Sequence, residues 1–133
     1  MTALLSPGWL TIGVVAALGA VIWLALRSSA SGVVRRGVAA LRGGWRTRRP
    51  AVVEARVVDF GRAPAVTVYV VCAGEAERPA LEDQVGELTA ELRAELRRRG
   101  AADAVVDGVR LRATSREAVA REGGWWGYVH NVP

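Results

Sequence analysis

The stretch AVTVYVVCAGEAERPALEDQVGELTAELRAELRRRG, residues 65–100, combines a strand pattern with a helix pattern. Its first part, AVTVYVVC, is rich in β-branched residues, which favour strands. Alternate residues of this part share one face, which we expect to be the core face: Val66, Val68, Val70 and Cys72. The almost continuous apolar character predicts a central strand that is covered on both sides.

The second part of the stretch carries start and stop signals for a helix. Pro79 suits the first turn, and Gly100 follows three arginines as a C-terminal residue. An apolar stripe at helical spacing is expected to lie on the sheet: Leu81, Val85, Leu88, Leu92 and Leu96. The opposite side carries an acidic column, Glu87, Glu91 and Glu95, which is either a solvated face or a partner-binding surface.

Strand patterns also flank this stretch on both sides. Residues 51–60 (AVVEARVVDF) and the turn residues after them predict a hairpin with the strand at 65–72. Residues 104–114 (AVVDGVRLRAT) predict a third strand. The order strand, strand, helix, strand predicts a small α+β domain over residues 51–114, in which one helix covers one sheet face.

The N-terminal segment predicts a transmembrane helix. Residues 9–26 read WLTIGVVAALGAVIWLAL, and the first 26 residues contain no charged side chain. About 20 apolar residues match the hydrocarbon thickness of a bilayer, and Trp9 and Trp23 would lie at the headgroup level. We therefore expect residues 1–27 to be a single-pass anchor joined to the α+β domain. A buried core helix and a cleaved signal peptide, with a small-residue site at 28–30, are the alternatives.

The basic segment at residues 28–50 predicts a juxtamembrane linker. It is preceded by Arg27 and contains no acid, so the positive-inside rule places the N-terminus outside the cell membrane and the α+β domain in the cytoplasm. A stripe of Val34, Val38, Leu41 and Trp45 predicts a short interfacial helix, whereas four glycines favour a flexible linker. The residues expected to contact anionic lipid headgroups are Trp9, Trp23, Arg27, Arg35, Arg36, Arg42, Trp45, Arg46, Arg48 and Arg49.

The distribution of charge speaks against a nucleic-acid-binding domain. The whole chain has a formal net charge of +5, but residues 51–133 hold 11 arginines against 13 acids. A nucleic-acid footprint is expected on the folded domain, and this basic segment lies outside it. Nucleic acid is therefore not an expected partner.

The C-terminal tail, residues 115–133, ends in aromatic residues spaced by glycine. Trp125, Trp126 and Tyr128 could dock on a protein partner, because large rings dominate interface energetics. They could also fold back over the uncovered face of the sheet.

Residues that carry out chemistry are scarce. One cysteine and one histidine cannot form a structural zinc site, and no phosphate-binding glycine motif is present. Cys72 is expected to be a core residue and His130 a solvated tail residue. The sequence therefore predicts a protein that is not an enzyme, with no metal, cofactor or small-molecule substrate.

The order of these patterns resembles a known bacterial family. An apolar helix and a basic stretch precede VTVYVVCAG (66–74), ALEDQVGELTAELRAELRRRG (80–100) and VVDGVRLRA (105–113). This order is similar to that of the alkaline shock response membrane anchor proteins, within the alkaline shock, or envelope stress, protein family. All basic residues are arginine, which together with much Ala, Gly and Val fits an actinobacterial source.

The resemblance implies a non-enzymatic membrane scaffold that recruits alkaline-shock-type envelope stress proteins through protein–protein interaction. The family has no catalytic residues to transfer to this chain. Two alternatives of other classes remain: an extracytoplasmic, membrane-tethered interaction module, and a nucleic-acid tether that uses the arginine block.

Overall fold

A computed structural model describes residues 7–62 and 64–131, with side chains placed for residues 11–22, 29–62 and 64–131. This part of the chain forms a small α+β fold. Its elements in chain order are α1 (Pro7–Ser28), α2 (Ala30–Arg48), β1 (Glu54–Val58), β2 (Val66–Cys72), α3 (Arg78–Arg98), α4 (Asp103–Gly108), β3 (Val109–Ser115), α5 (Arg116–Arg121) and α6 (Trp125–Asn131).

The three strands form one sheet in the order β1-β2-β3. The predicted hairpin is present, because β1 pairs with β2 in antiparallel register, with Arg56 opposite Tyr69. On the other side β2 pairs with β3 in parallel register, with Tyr69 opposite Arg112. As predicted, β2 is the central strand, and all of its residues except the half-buried Thr67 are buried.

The main core lies on the face of β2 predicted from its alternation. Val66, Val68, Val70 and Cys72 pack there against the stripe of α3, of which Leu81, Leu88, Leu92 and Leu96 are fully buried. The helix α3 ends as predicted, with Gly100 at a φ of +78° directly after its cap. Only glycine adopts this φ without steric cost.

The third predicted strand is correct only in its second half. Residues 103–108 form α4 instead, with Asp103 in the first turn, where the helix dipole favours an acid. Val106 reaches the core from this helix. Gly108 then allows a close turn into β3, because a Cβ there would lie 3.1 Å from the carbonyl oxygen of Pro64.

The predicted transmembrane helix is wrong. Among the residues that the structure describes, no helix is both long and apolar enough to cross a membrane. This finding also contradicts three predictions that depend on the anchor: a fold class that includes a membrane helix, a single-pass topology, and a location in the cell membrane with the N-terminus outside.

Residues 30–48 form a regular helix rather than a flexible linker. The Ser29 hydroxyl accepts a hydrogen bond from the backbone N–H of Gly32 and caps the N-terminus of α2. Three residues of the predicted stripe, Val34, Val38 and Trp45, are buried in the main core, and Leu41 packs against it. Helix α2 therefore belongs to the folded domain and covers the sheet beside α3.

Candidate protein-binding surface

The acidic column on α3 faces α2. Glu91 accepts a hydrogen bond of 2.6 Å from the indole Nε1 of Trp45 and pairs with Arg49 at 2.9 Å. Glu87 pairs with the same guanidinium at 3.0 Å. Desolvation alone would raise the pKa of Glu91, but the hydrogen bonds from Arg49 and Trp45 outweigh it and hold this pKa below its usual value. Two of the three acids therefore join α3 to α2.

The third acid of the column is paired within α3. Glu95 is buried and accepts hydrogen bonds from Arg98 and, at 2.8 Å, from Arg99. These hydrogen bonds lower the pKa of Glu95. The carboxylate is thus kept ionised by the basic last turn of its own helix.

The residues predicted to face lipid have different surroundings. Trp45 has no exposed surface, because it packs in the core, and Arg49 is half-buried against Glu91. Trp9, Trp23 and Arg27 are not among the residues whose side chains the structure describes. Arg36 is half-buried, and the exposed members of the block are Arg35, Arg42, Arg46 and Arg48. Binding of these arginines to anionic lipid headgroups stays a prediction.

The outer side of α2 forms a groove with the edge strand β1. Arg35 and Arg42, with Val38 and Ala39 between them, line one wall of this groove. The other wall consists of Ala55, Arg56 and Val57, and the enclosed volume is about 360 Å³. We call these residues the edge groove.

The edge groove is positively charged and has no acidic counterpart. Among the placed side chains, no carboxylate lies within salt-bridge distance of Arg35, Arg42 or Arg56. Arg56 instead lies over the ring of Trp125, with its guanidinium carbon 5.0 Å from the ring centroid. Arg46 continues the basic side of α2 and donates a hydrogen bond of 3.4 Å to the carbonyl oxygen of Val53.

The aromatic tail packs on the second face of the sheet. Tyr128 is buried in a small cluster with Tyr69 and Val119, and Trp125 packs beside it. The ring centroids of Tyr69 lie 5.6 Å from those of Trp125 and Tyr128. Trp126 points away, is 75% exposed and stacks on His130. Partner binding by this tail stays a prediction, with Trp126 as its accessible ring.

A second groove lies on the same sheet face beside α6. It has a volume of about 570 Å³ and is lined by Phe60, Arg62, Ala65, Thr67, Tyr69, Arg112 and Val129. The sequence interpretation missed both grooves, because each combines residues from distant segments. The alternation of arginine and apolar residues in β3 was the available signal for Arg112.

The chemistry of the remaining groups is limited. Cys72 is buried, and its thiol donates to the carbonyl oxygens of Gly74 and Thr114 at 3.3 Å each. Burial raises the pKa of this thiol, so its reactive thiolate is disfavoured. Within the described ranges, no three His, Cys, Asp or Glu side chains are grouped so that they could hold a metal ion.

Comparison with protein-family models, with curated proteins and with solved structures gives no match for this chain. The edge groove combines a concave shape with three arginines that have no carboxylate partner among the placed side chains.

Proposed function

We propose that this protein is a non-enzymatic scaffold that binds a protein partner of the alkaline-shock type. The observation that supports this function best is the edge groove, in which Arg35, Arg42 and Arg56 lack carboxylate partners among the placed side chains. Arginine is enriched at protein interfaces, and exposed charge of one sign steers a partner of the other sign.

The ion pairs inside the domain also support this proposal. Arg49, which directly follows α2, is paired with Glu87 and Glu91, whereas no carboxylate among the placed side chains pairs with Arg35 or Arg42 on the outer side of that helix. The class of the partner is supported by the resemblance of residues 66–74, 80–100 and 105–113 to the alkaline shock family. The partner therefore needs an acidic surface.

A titration with a purified alkaline-shock-type protein tests the proposal. Because α1 exposes apolar side chains from Ile12 to Ile22, the titration uses the full chain in a non-ionic detergent. The chain is expected to bind this protein with a dissociation constant of ~100 µM or tighter. The double variant Arg35→Glu with Arg42→Glu should weaken this binding by about tenfold or more, because like charges then face the acidic partner.

The control is Arg116→Glu, which reverses one exposed charge at the start of α5, outside the edge groove. It should leave the affinity within about twofold of that of the unchanged protein. Absence of binding at ~100 µM would exclude this class of partner.

A further inference from the structure

We propose that the edge groove accepts an extended acidic segment of the partner as a fourth strand of the sheet, next to β1. This inference rests on the proposed function and specifies which kind of partner segment the edge groove would bind. The segment would alternate acidic and apolar residues, with its backbone paired to β1 and its acids directed to the arginines of α2.

The position of β1 at the edge of the sheet leaves backbone groups that could pair with an added strand. In the described sheet β1 pairs with β2 alone, over residues 54–58. A strand at the edge of a sheet presents unpaired N–H and C=O groups on its outer side, and extended peptides add to such edges. No proline interrupts the sequence EARVV of β1, so each of its residues keeps its N–H group.

The arginines determine which segment fits. Arg35 and Arg42 are seven residues apart on α2, which corresponds to about 10 Å along the helix. Residues on one face of a strand repeat every ~6.6 Å, so acids two to four residues apart would reach both guanidinium groups.

Nucleic acid fits the edge groove less well than a peptide. Proteins that bind single strands combine a basic groove with aromatic rings on which bases stack. The residues lining the edge groove include no aromatic ring. The ring nearest to it, Trp125, is half-buried against Tyr69 and Tyr128 and already lies under Arg56.

A second copy of the chain also fits poorly at this edge. An antiparallel pair of two β1 strands centred on Arg56 would place two like charges directly opposite each other. Such pairs are destabilising. The edge is therefore better suited to a different, acidic strand.

The test uses a labelled peptide of alternating Glu and Val residues and the full chain in non-ionic detergent, with fluorescence anisotropy as the readout. Binding should be at least about tenfold weaker for a Lys-Val peptide of equal length and for the Arg35→Glu, Arg42→Glu protein. Arg116→Glu should bind the peptide like the unchanged protein. Thermal melts by circular dichroism confirm that each variant is folded.

A second peptide separates strand addition from simple charge attraction. N-methylation of alternate backbone amides in the Glu-Val peptide removes the donors needed for pairing but keeps every charge. We expect it to bind at least about tenfold more weakly, because main-chain hydrogen bonds provide the affinity in this mode. Equal binding of the methylated peptide, or stronger binding of an oligonucleotide of the same charge, would overturn the inference.

The outcomes also separate this inference from the proposed function. Binding of the alkaline-shock-type protein that is unaffected by the double variant, together with no binding of the Glu-Val peptide, would refute the edge groove and leave the function intact. Binding of the peptide without binding of that protein would refute the class of partner and leave the edge groove intact.

Discussion

At the scale of single residues, Gly37 controls how closely α2 approaches α3. A Cβ at this position would lie 2.9 Å from Cδ2 of Leu96 and 3.4 Å from Cδ1 of Leu92, and both leucines are fully buried. Side chains packed on all sides cannot move away freely. The glycine therefore has a packing role that outweighs its low helix propensity.

Two glycine substitutions in the same helix should have opposite effects. Gly43 is exposed and a Cβ there meets nothing within 4 Å, so Gly43→Ala should stabilise the domain by about 0.5–1 kcal/mol through helix propensity. Gly37→Ala gains the same propensity but overpacks the core at a cost of about 1–3 kcal/mol. Urea unfolding of the two variants measures the difference. Equal free energies of unfolding would show that α2 does not pack on α3 as described.

At the scale of elements, α2 is a structural part of the domain. It contributes Val34, Val38 and Trp45 to the core, and the indole of Trp45 is hydrogen-bonded to Glu91 of α3. A domain that began at residue 51, as predicted from the sequence, would expose the leucines of α3 that α2 covers.

Two truncations test the role of this helix. A fragment of residues 29–133 keeps α2 with its Ser29 cap, and it should unfold cooperatively on heating. A fragment of residues 50–133 lacks three buried core side chains, each worth about 1.5–3 kcal/mol, and should lose its cooperative transition. Thermal melts of both fragments, followed by circular dichroism, show whether each fragment has a cooperative unfolding transition. A cooperative melt of the shorter fragment would show that α2 is dispensable.

The elements differ in how far their sequence determines them. The alternation of Val66, Val68 and Val70 was sufficient to predict β2, and the apolar stripe was sufficient to predict α3. A period of two residues fits a strand, and a period of 3.6 residues fits a helix. Residues 104–108 were predicted as part of a strand because of the adjacent Val105 and Val106, but such a short apolar run also fits a helix, and it forms α4 here. In α2, tertiary packing overrides the low helix propensity of its glycines.

The candidate site was predictable only in part, for a similar reason. Arg35 and Arg42 were identified within the arginine block, but their position beside an open sheet edge depends on the strand order. That order follows from the parallel pairing of β2 with β3, which joins distant segments. Local patterns contain no information about such a pairing.

At the scale of the whole molecule, three buried or paired glutamates make stability depend on pH. The pKa of Glu75 is lowered chiefly by the hydrogen bond from Ser115, that of Glu91 by Arg49 and Trp45 against an opposing desolvation effect, and that of Glu95 by Arg98 and Arg99. A carboxylate whose pKa is lower in the folded state binds fewer protons there than in the unfolded state. Its stabilising effect is present above the usual glutamate pKa of 4.5 and is lost as the pH falls below it.

Glu91→Gln should therefore lower stability at pH 7 more than at pH 3. At pH 3 the difference from the unchanged protein narrows, because Glu91 of the unfolded chain then binds a proton more readily than Glu91 of the folded protein, and this favours unfolding. Urea unfolding at the two pH values gives both differences. Asp83→Asn, which removes an exposed carboxylate from the same helix, is the control and should shift stability by less than about 0.5 kcal/mol at either pH. A difference for Glu91→Gln that is independent of pH would contradict the Arg49–Glu91 interaction.

The parallel pairing of β2 with β3 also has a consequence for the order of events during synthesis. On the ribosome the hairpin of β1 and β2 emerges first, whereas β3 follows only after α3 and α4. Until then one edge of a valine-rich central strand has no neighbour, and such an edge can pair with another nascent chain. Helix α3 follows β2 directly and can cover its Val66, Val68 and Val70 face while the edge still waits for β3. Packing of α3 removes this apolar face from contact with other nascent chains, whereas the open backbone edge of β2 is closed only when β3 pairs with it.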